Sequence, residues 1–389
     1  MNMTMEQMGK LDRSVRRRVG LNVQVVNRTE DVPSIQAEWE ALRKRCRGSI
    51  FSSFDWGIEW LRHFDRIAQP RIVMVEEDGE LVGLAPFTLM EHRAVGIRMR
   101  KLSMIGNGAG VAELYDLGIM ALDEREDVVD AIVDAMDELE WNVLHLNELR
   151  DDEVNHALYR RVAERWETDE IVEIPCPRTD LPREGDVLEV ASSRTRRTIR
   201  KAVEVLERDS RVSYRTVDLP EETADAAELY ALQHMERWSE KGGSIFSNEN
   251  LSEFLRDVMR ATAEEGRGMI YEVWIDGTLA SQMLCLEDGD LMRAYRVGMN
   301  DRFAEFSPGN LVAHYAMREA QEAGFIQFDF GAGPEEFKYR LGAKDVPLMR
   351  IQAKRGTVKA MAKISSLPGM KRLVDRSGAR EQALKAFHR

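Results

Sequence analysis

The chain has 389 residues, 43% of them hydrophobic and 32% charged, which is typical of a soluble globular protein with room for two domains. No apolar run approaches the ~20 residues of a membrane helix, and no apolar stretch follows the N-terminal charges, so we expect neither a membrane span nor a secretory signal. The three cysteines are widely spaced and the histidines scattered. This pattern argues against a disulfide framework and a protein-built metal site, and it favours a reducing cytoplasm.

Charge is unevenly distributed along the chain. Residues 1–20 carry a net +3 and residues 354–389 a net +8; since the whole chain is −13, residues 21–353 carry −24. Nucleic-acid affinity depends on neutralising phosphates, so such an acidic body argues against DNA as a partner and disfavours tRNA. We expect a flexible basic segment at 1–20 and a basic helical tail at 354–389. That tail is either a solvated helix or a peripheral contact for a membrane or partner.

The first half predicts helices, then a hairpin, then a helix and a strand. Residues 38–64 predict helical segments around an aromatic cluster. Asp78-Gly79 separates RIVMVEE from ELVGLAPFTLM, a strong hairpin signal. Strand-like pieces follow at 97–106 and 112–120, and an amphipathic helix over 124–139 precedes the strand WNVLHL.

The glycine-rich segment Gly106-Asn107-Gly108-Ala109-Gly110 has the look of a dinucleotide-binding loop. That fingerprint requires a helix directly after the loop, whereas a strand-like segment follows here. We therefore reject a nucleotide site in the first half.

The second half repeats the order of the first. Helices predicted over 224–241 and 251–264 precede a hairpin with the same turn, Asp276-Gly277. A strand over 291–299, a helix after Asn310 and the strand FIQFDF follow. Helices placed between strands predict an α/β fold, an α+β mixed sheet covered on both faces.

This repetition predicts two tandem domains, residues 21–175 and residues 186–353. We place their boundary in the Pro-rich stretch 174–186.

The segment Ser307-Pro308-Gly309-Asn310 suits the start of a helix that binds phosphate. We expect Ser307 to cap the helix and Pro308 to take the first helical position. Gly309 leaves the backbone uncovered, so free N–H groups of the first turn would face a phosphate. The first half has no counterpart of this segment, so we expect it to keep the fold without the donor site. A well-capped helix without a ligand is the competing interpretation.

Asp329 and Lys338 are candidate catalytic residues. Asp329 ends a buried strand beside two glycines, where it would lie on a cleft floor or bond nearby backbone N–H groups. Lys338 lies in a predicted charged loop, Phe337–Gly342. In a desolvated cleft it would orient an acyl carbonyl or neutralise developing charge; the alternative is a surface lysine paired to Glu335.

Two helices carry further candidates. The helix that begins at Ser192 or Ser193 displays Arg196 and Arg200 four residues apart, either for phosphates or for salt bridges to the acidic body. On the helix near Tyr230, His234 and Arg237 share a face, with Trp238 adjacent. His234 is a candidate general base, because its reference pKa of about 6.5 suits proton transfer at neutral pH, or it is a structural histidine.

From Ser192 to Lys344 the sequence resembles the acetyltransferase domain of the cellulose-biosynthesis CelD/BcsL type, also called BioF2-like, within the GNAT superfamily. The segments that carry the resemblance are SRTRRTIRKAVEVLE, LQHMERWSEKGG, IDGTLASQMLCL, FSPGNLVAHYAMREA and FDFGAGPEEFKYRLG. Upstream, FSSFDWGIEWLRHF and DGELVGLAPF are similar to the first half of the same proteins. FSPGNL stands where typical GNAT enzymes carry Q/R-x-x-G-x-G/A.

The chain is also similar to the related Fem aminoacyltransferases, which extend peptidoglycan cross-bridges and carry two GNAT-like halves. Their F-K-x-x-F-G ending looks like Phe337–Gly342, with Leu341 in place of the aromatic residue. By this resemblance Lys338 would lie at the acyl-transfer centre.

The resemblance implies two tandem GNAT-like acyltransferase domains, with acyl-CoA as co-substrate and no metal. Its thioester carbonyl would lie in a splay between the strands LMRAYRVGM and FIQFDF. The implied donor-binding residues are Val297, Gly298, Ser307, Gly309, Asn310 and Leu311. The substrate-binding candidates are Arg196, Arg200, Arg237, Trp238, Tyr295 and Tyr339. The catalytic candidates are Lys338, Asp329 and His234.

We therefore expect an N-acyltransferase of the EC 2.3 type that moves an acetyl or other acyl group to an amine or hydroxyl acceptor. The family implies an envelope sugar or polysaccharide precursor as that acceptor. Two alternatives remain open: a Fem-like transferase that uses aminoacyl-tRNA on a cell-wall precursor, and a non-catalytic GNAT-like scaffold that acts through its basic tail.

Overall fold

The computed structural model describes residues 16–18, 20–94, 97–107, 114–209, 211–239 and 242–356. The chain divides into two compact units, Met1–Glu173 with Met349–Arg389, and Ile174–Leu348. Most of the predicted N-terminal segment, Gly108 to Gly110 and the predicted tail after residue 356 lie outside the described residues.

The first unit contains the predicted helices, hairpin, third helix and following strand in the predicted order, together with elements that were not predicted. Its described elements are β1 (Arg16–Arg18), β2 (Leu21–Val26), α1 (Gln36–Arg45), α2 (Phe54–Phe64), β3 (Ala68–Glu77), β4 (Glu80–Ala94), β5 (Ile97–Met104), β6 (Met120–Ala121), α3 (Glu126–Glu138), β7 (Val143–Arg150), α4 (Glu153–Arg165) and β8 (Glu167–Thr168).

The sheet of the first unit is mixed. Its strand order is β1-β2-β3-β4-β5-β7, and neighbours are antiparallel except for the parallel pair β5 and β7. The predicted hairpin between β3 and β4 is confirmed: Asp78 and Gly79 have φ of 51° and 85°, as a two-residue turn with both central residues in the left-handed region requires. The aromatic cluster of α1 and α2 is core, with Trp39, Trp56 and Trp60 buried.

Two features of the first unit differ from the prediction. In the expected strand 112–120, the described part forms a single bridge at Leu117 before β6 begins at Met120. Helix α4 was not predicted. Its start is fixed by the Asp152 side chain, which accepts the Asn155 N–H at 2.9 Å, and Val154, Leu158 and Val162 form its buried stripe.

The second unit has the same kind of architecture. Its described elements are β9 (Val172–Asp180), α5 (Ser193–Arg208), β10 (Val212–Val217), α6 (Pro220–Trp238), α7 (Glu249–Glu264), β11 (Gly268–Ile275), β12 (Thr278–Asp288), β13 (Leu291–Met299), α8 (Pro308–Glu322), β14 (Gln327–Asp329), α9 (Glu336–Arg340) and β15 (Lys344–Lys354), whose last residues belong to the first unit.

The sheet of the second unit is also mixed, which confirms the predicted fold class. Its strand order is β9-β14-β13-β12-β11-β10, with β13 and β14 parallel. The hairpin between β11 and β12 turns at Asp276 and Gly277, with φ of 51° and 72°. The Ser192 hydroxyl accepts the Thr195 N–H at 3.3 Å and so caps α5, as predicted.

The Pro-rich stretch in which we place the domain boundary contains much of β9, because Pro175 and Pro177 accept backbone N–H bonds from Gly333 and Phe330 and lack only a donor. Two local predictions in the second unit need correction. The strand over 325–330 is shorter, since β14 spans Gln327–Asp329. The expected charged loop at 337–342 contains the short helix α9. Among the described residues, no helix combines the length and apolar character needed to cross a membrane.

Candidate active site

The pairing between the parallel strands β13 and β14 ends after three residue pairs. Their pairing joins Leu291 to Gln327, Met292 to Phe328 and Arg293 to Asp329. Strand β13 then continues to Met299, paired on its other side with β12. Within the part of the chain that the structure describes, no strand pairs with residues 294–299 on the β14 side. The backbone groups of Val297 to Met299 that face away from β12 can therefore bond a ligand.

Helix α8 begins beside the end of β13. A Cβ built on Gly309 would lie 2.9 Å from the Met299 methyl group, so the two are in contact. The Ser281 hydroxyl donates to the Pro308 carbonyl at 2.8 Å and fixes the helix start to β12. Val297, Gly298, Gly309 and their neighbours are thus parts of one region, as the resemblance implies.

The start of α8 differs in detail from the prediction. Ser307 has φ 53° and ψ 60°, and its side chain does not cap the helix. Its carbonyl instead accepts the N–H groups of Asn310 (2.9 Å) and Leu311 (3.2 Å). Pro308 has no N–H, so the hydrogen bonds of the described residues leave the Gly309 N–H for a ligand. The predicted row of free donors is reduced to one, aided by the positive end of the helix dipole.

His234 lies in an aromatic cluster with Tyr230, Trp238 and Phe246. Its ring stacks on Trp238 (interplanar angle 18°, centroids 5.8 Å apart) and meets the edge of Phe246 at 5.2 Å. Its Nδ1 is 2.7 Å from the Ser244 hydroxyl. Tyr230 completes the cluster, 5.5 Å from Phe246.

Tyr230 links this cluster to the end of β13. A Cβ at Gly298 would meet the Tyr230 ring at 2.9 and 3.0 Å, so a glycine is needed for the strand to pass this close. Burial raises the pKa of Tyr230 to about 12, which keeps the phenol neutral.

The surroundings of His234 favour a neutral ring. Burial lowers the pKa of His234, and the positive charges of Arg296 and Arg237 lower it further. Arg237 pairs with Asp301 at 3.0 Å, and the Arg296 guanidinium lies 4.7 Å from the Tyr295 ring centroid. A half-buried imidazole that is neutral at pH 7 can accept a proton from an incoming nucleophile.

Asp329 is buried, and both of its carboxylate oxygens have hydrogen-bond partners. One carboxylate oxygen accepts bonds from Arg178 (2.9 Å) and Arg293 (2.7 Å). The other accepts the Gly331 N–H (2.7 Å) and lies 3.4 Å from the Cys176 sulfur. Asp329 thus bonds nearby backbone, which is the second of the two predicted alternatives, and its place on a cleft floor stays a prediction.

Lys338 is neither exposed nor free. It is 4% exposed, and its ammonium group donates to the carbonyls of Gly331, Ala332 and Gly333 at 2.9, 3.0 and 3.0 Å. Glu335 pairs with it at 2.7 Å, so the predicted partner is present although the lysine is buried. The ammonium group thereby fastens the loop that follows β14.

Other candidates lie apart from this region in the described contacts. Arg200 pairs with Asp186 at 2.6 Å near His314, beside a cavity of about 440 Å³ lined by residues 183–187 and the second half of α8. Tyr339 bonds Asp345 at 2.7 Å. Arg196 is half-buried on α5. Nothing in these contacts joins the three residues to the His234 cluster.

Sequence reasoning missed Ser244, Arg296, Arg178 and Arg293. Ser244 precedes a short 3-10 turn, Ile245–Ser247, whose Phe246 N–H its hydroxyl accepts at 3.0 Å. A serine before a helical turn is a capping signal and could have been found, but its contact with His234 depends on how the chain folds back. Arg178 and Arg293, which bond Asp329, are distant from it in the sequence.

The family comparison matches the part of the chain that contains this site. Residues 193–339 match the model of the acetyltransferase (GNAT) domain. The matched residues lie within the second unit. No curated protein matches the sequence.

Solved structures with the same fold span most of the chain. FemX has a TM-score of 0.60 at 13% identity, covering 85% of this chain and 98% of its own. A tandem GNAT protein from the clavulanic acid biosynthesis pathway has a TM-score of 0.51 at 13% identity, covering 86% and 99%. A conserved protein from Bacteroides thetaiotaomicron has a TM-score of 0.52 at 12% identity, and the alignment covers 84% of this chain and 97% of that protein. At these identities the likeness is one of fold, and it confirms the tandem GNAT-like architecture.

Proposed function

We propose that the second unit transfers an acyl group from acyl-CoA to an amine or hydroxyl acceptor. The observation that carries this is the early end of β13–β14 pairing at Arg293 and Asp329, with the remainder of β13 beside the start of α8. A strand edge next to a helix N-terminus suits a donor that has both amide groups and a pyrophosphate.

The donor would lie along the end of β13 and reach α8. Val297 and Gly298 would bond its amides through backbone groups, and Ser307 to Leu311 would face its pyrophosphate. No acidic residue lies in the first turn of α8, so the phosphate meets no like charge there.

His234 is the better candidate for the general base. The oxygens of Asp329 already accept two guanidinium bonds and a backbone N–H, whereas the hydrogen bonds among the described residues engage His234 through Nδ1. We therefore assign proton removal to His234. Asp329 and Lys338 take a supporting role, because they hold the loop after β14 in place.

The acceptor would bind beside His234, where Trp238 stacks on the imidazole and Arg237 lies on the same helix, with Tyr295 of β13 as a further binding residue. An exposed indole beside a guanidinium suits a polar ring-shaped acceptor, in keeping with the sugar that the CelD/BcsL resemblance implies. Action in the cytoplasm and in envelope polysaccharide synthesis belongs to this proposal, as does the division of labour between the domains at 21–175 and 186–353.

The test is binding of acetyl-CoA to the full chain by thermal shift. Ligand at about 100 times its dissociation constant should add roughly 2.7 kcal/mol to the free energy of unfolding. Gly309→Trp should remove the shift by filling the site at the start of α8. Glu322→Trp, with the same bulk at the exposed far end of α8, should retain it.

Two results would count against the proposal. A shift that survives Gly309→Trp would place the donor elsewhere. No shift with acetyl-CoA, together with strongly salt-dependent tRNA binding that is lost in Arg196→Ala/Arg200→Ala, would support the Fem-like aminoacyl-tRNA alternative.

A further inference from the structure

Ser244 is in direct contact with the proposed base and has no assigned role. Its hydroxyl oxygen is 2.7 Å from His234 Nδ1 and accepts the Phe246 N–H at 3.0 Å. The second bond matters because it fixes the oxygen in space at the start of the Ile245–Ser247 turn. The imidazole therefore meets a hydrogen-bonding partner whose position is set by the backbone.

The ring has little freedom to turn away from this partner. Trp238 stacks on one side, and Phe246, which is 2% exposed, presses against it at 73°. Since Nδ1 faces Ser244, Nε2 is the ring atom that can meet a substrate. A neutral histidine has one proton to place, and its chemistry depends on which nitrogen carries it.

We propose that Ser244 is a positioning residue that accepts the Nδ1 proton of His234 and thereby leaves the Nε2 lone pair to take the proton of the acceptor. A serine oxygen has two acceptor sites, and the N–H groups of Phe246 and His234 fill both. The proton then moves from the acceptor amine or hydroxyl to Nε2, the acceptor attacks the thioester carbon, and the CoA thiolate leaves. This rests on the proposed function.

The charges around the ring agree with this arrangement. Arg237 lies on the same helix, and Arg296 of β13 also lowers the pKa of the ring through its positive charge, while the Ile245–Ser247 side presents the Ser244 hydroxyl and the Phe246 ring. Neither arginine can accept the Nδ1 proton, since a guanidinium carries donors alone. Ser244 is the acceptor that the described contacts of Nδ1 provide.

The first measurement is the tautomer of His234 in histidine labelled with ¹⁵N, read from long-range ¹⁵N–¹H correlations at pH 8 and assigned with His234→Gln. Nδ1 should be protonated and Nε2 bare in the wild type and in Ser244→Thr. Ser244→Ala should shift the population toward protonated Nε2. The matched control is Ser252→Ala, which removes a 3.2 Å bond to the Phe246 carbonyl from the same turn without touching His234.

The second measurement is thiol release from acetyl-CoA, with water and with glucosamine as acceptor probes. Ser244→Ala should lower kcat at least about tenfold, part of the roughly 10²–10⁴-fold that a general base contributes, with an unchanged KM for acetyl-CoA. The acid limb of the pH profile of kcat should move to lower pH in Ser244→Ala, because the Ser244 hydroxyl no longer stabilises the imidazolium. Ser252→Ala should match the wild type in both respects.

The outcomes separate the two proposals. Protonated Nε2 in the wild type, or an unchanged tautomer in Ser244→Ala, overturns the role of Ser244 whatever the activity shows. The expected tautomer change in a protein that neither binds nor cleaves acetyl-CoA would uphold the contact and overturn the proposed function.

Discussion

Two parallel strand pairs among the described residues, β5–β7 in the first unit and β13–β14 in the second, begin alike and end differently. In the first unit, β5 pairs with β7 at Lys101–Val143 and Leu102–Leu144. Beyond these pairs the chain itself returns: Leu117 forms a parallel bridge with Leu149, and Asn107 donates to the carbonyls of Leu114 and Asn147. We call residues 114–119 the filling segment. In the second unit, no described segment takes the corresponding position beside β13.

The first turns of helices α3 and α8 also differ, and again the difference favours a ligand in the second unit. Helix α3 carries Glu126 and Asp127 in its first turn, which stabilise the helix and repel a phosphate. Helix α8 starts with Pro308 and Gly309 and has no acid there. One fold can therefore retain its sheet and lose a ligand site by two local changes, a strand edge covered by the chain and a helix start that is negatively charged. Absence of a donor site in the first unit stays a prediction, and these contacts support it.

The largest expected effect comes from truncating a buried side chain of the filling segment. Leu117 is 3% exposed, so Leu117→Ala should lower the free energy of unfolding by about 2–5 kcal/mol, measured by urea denaturation. Acetyl-CoA affinity should be unchanged. The exposed Leu219→Ala is the control and should be near neutral. Loss of acetyl-CoA binding in a folded Leu117→Ala protein would show that the first unit takes part in the donor site.

Removing the buried ammonium group should have the next largest effect. Lys338→Met leaves the carbonyls of residues 331–333 without a donor and should cost about 1–3 kcal/mol of stability. Arg340→Met breaks an exposed pair with Glu336 on the same short helix and should cost less than about 1 kcal/mol. If Lys338→Met unfolds like the wild type yet loses thiol release, the lysine acts at the acyl-transfer centre, as the Fem resemblance implies.

A smaller change would make α8 resemble α3. Asn310→Asp adds a negative charge to the first turn and should stabilise the folded chain by about 0.3–1 kcal/mol. It should also weaken acetyl-CoA binding, since the charge opposes the pyrophosphate; calorimetric titration measures this. Glu322→Gln, at the other end of α8, should leave affinity unaltered. Equal affinity for Asn310→Asp and wild type would remove the helix start from the donor site.

The smallest expected effect concerns pH. Burial and the two arginines lower the pKa of His234 below its unfolded value of about 6.5, so the unfolded chain binds the proton first as pH falls. As pH falls below about 6.5, the wild type should therefore lose stability faster than His234→Gln. The midpoints of urea denaturation between pH 5 and 8 measure this difference. Parallel pH profiles of the wild type and His234→Gln would show that the His234 ring is not desolvated. The first unit offers His156→Gln as the control, a histidine paired with Asp151 near the surface.

Local patterns predicted much of each unit. The two Asp-Gly turns adopt the left-handed backbone that their hairpins need, and the apolar stripe of α3 is buried where periodicity placed it. The prediction was wrong where tertiary contacts override local preference. We expected the Ser307 side chain to cap α8, but the Ser307 carbonyl accepts the N–H groups of Asn310 and Leu311 instead.

The sequence by itself determined the α/β class, the repeated order of elements and the residues worth testing, because turns, caps and periodicity depend on neighbours in the chain. Only the tertiary structure decided what those residues contact. It buried Lys338 against three carbonyls, surrounded Asp329 with arginines more than thirty residues away along the chain, and set Ser244 against His234. The physical reason is that hydrogen bonds and burial act over a few ångströms in space, and the fold alone decides which distant residues come that close.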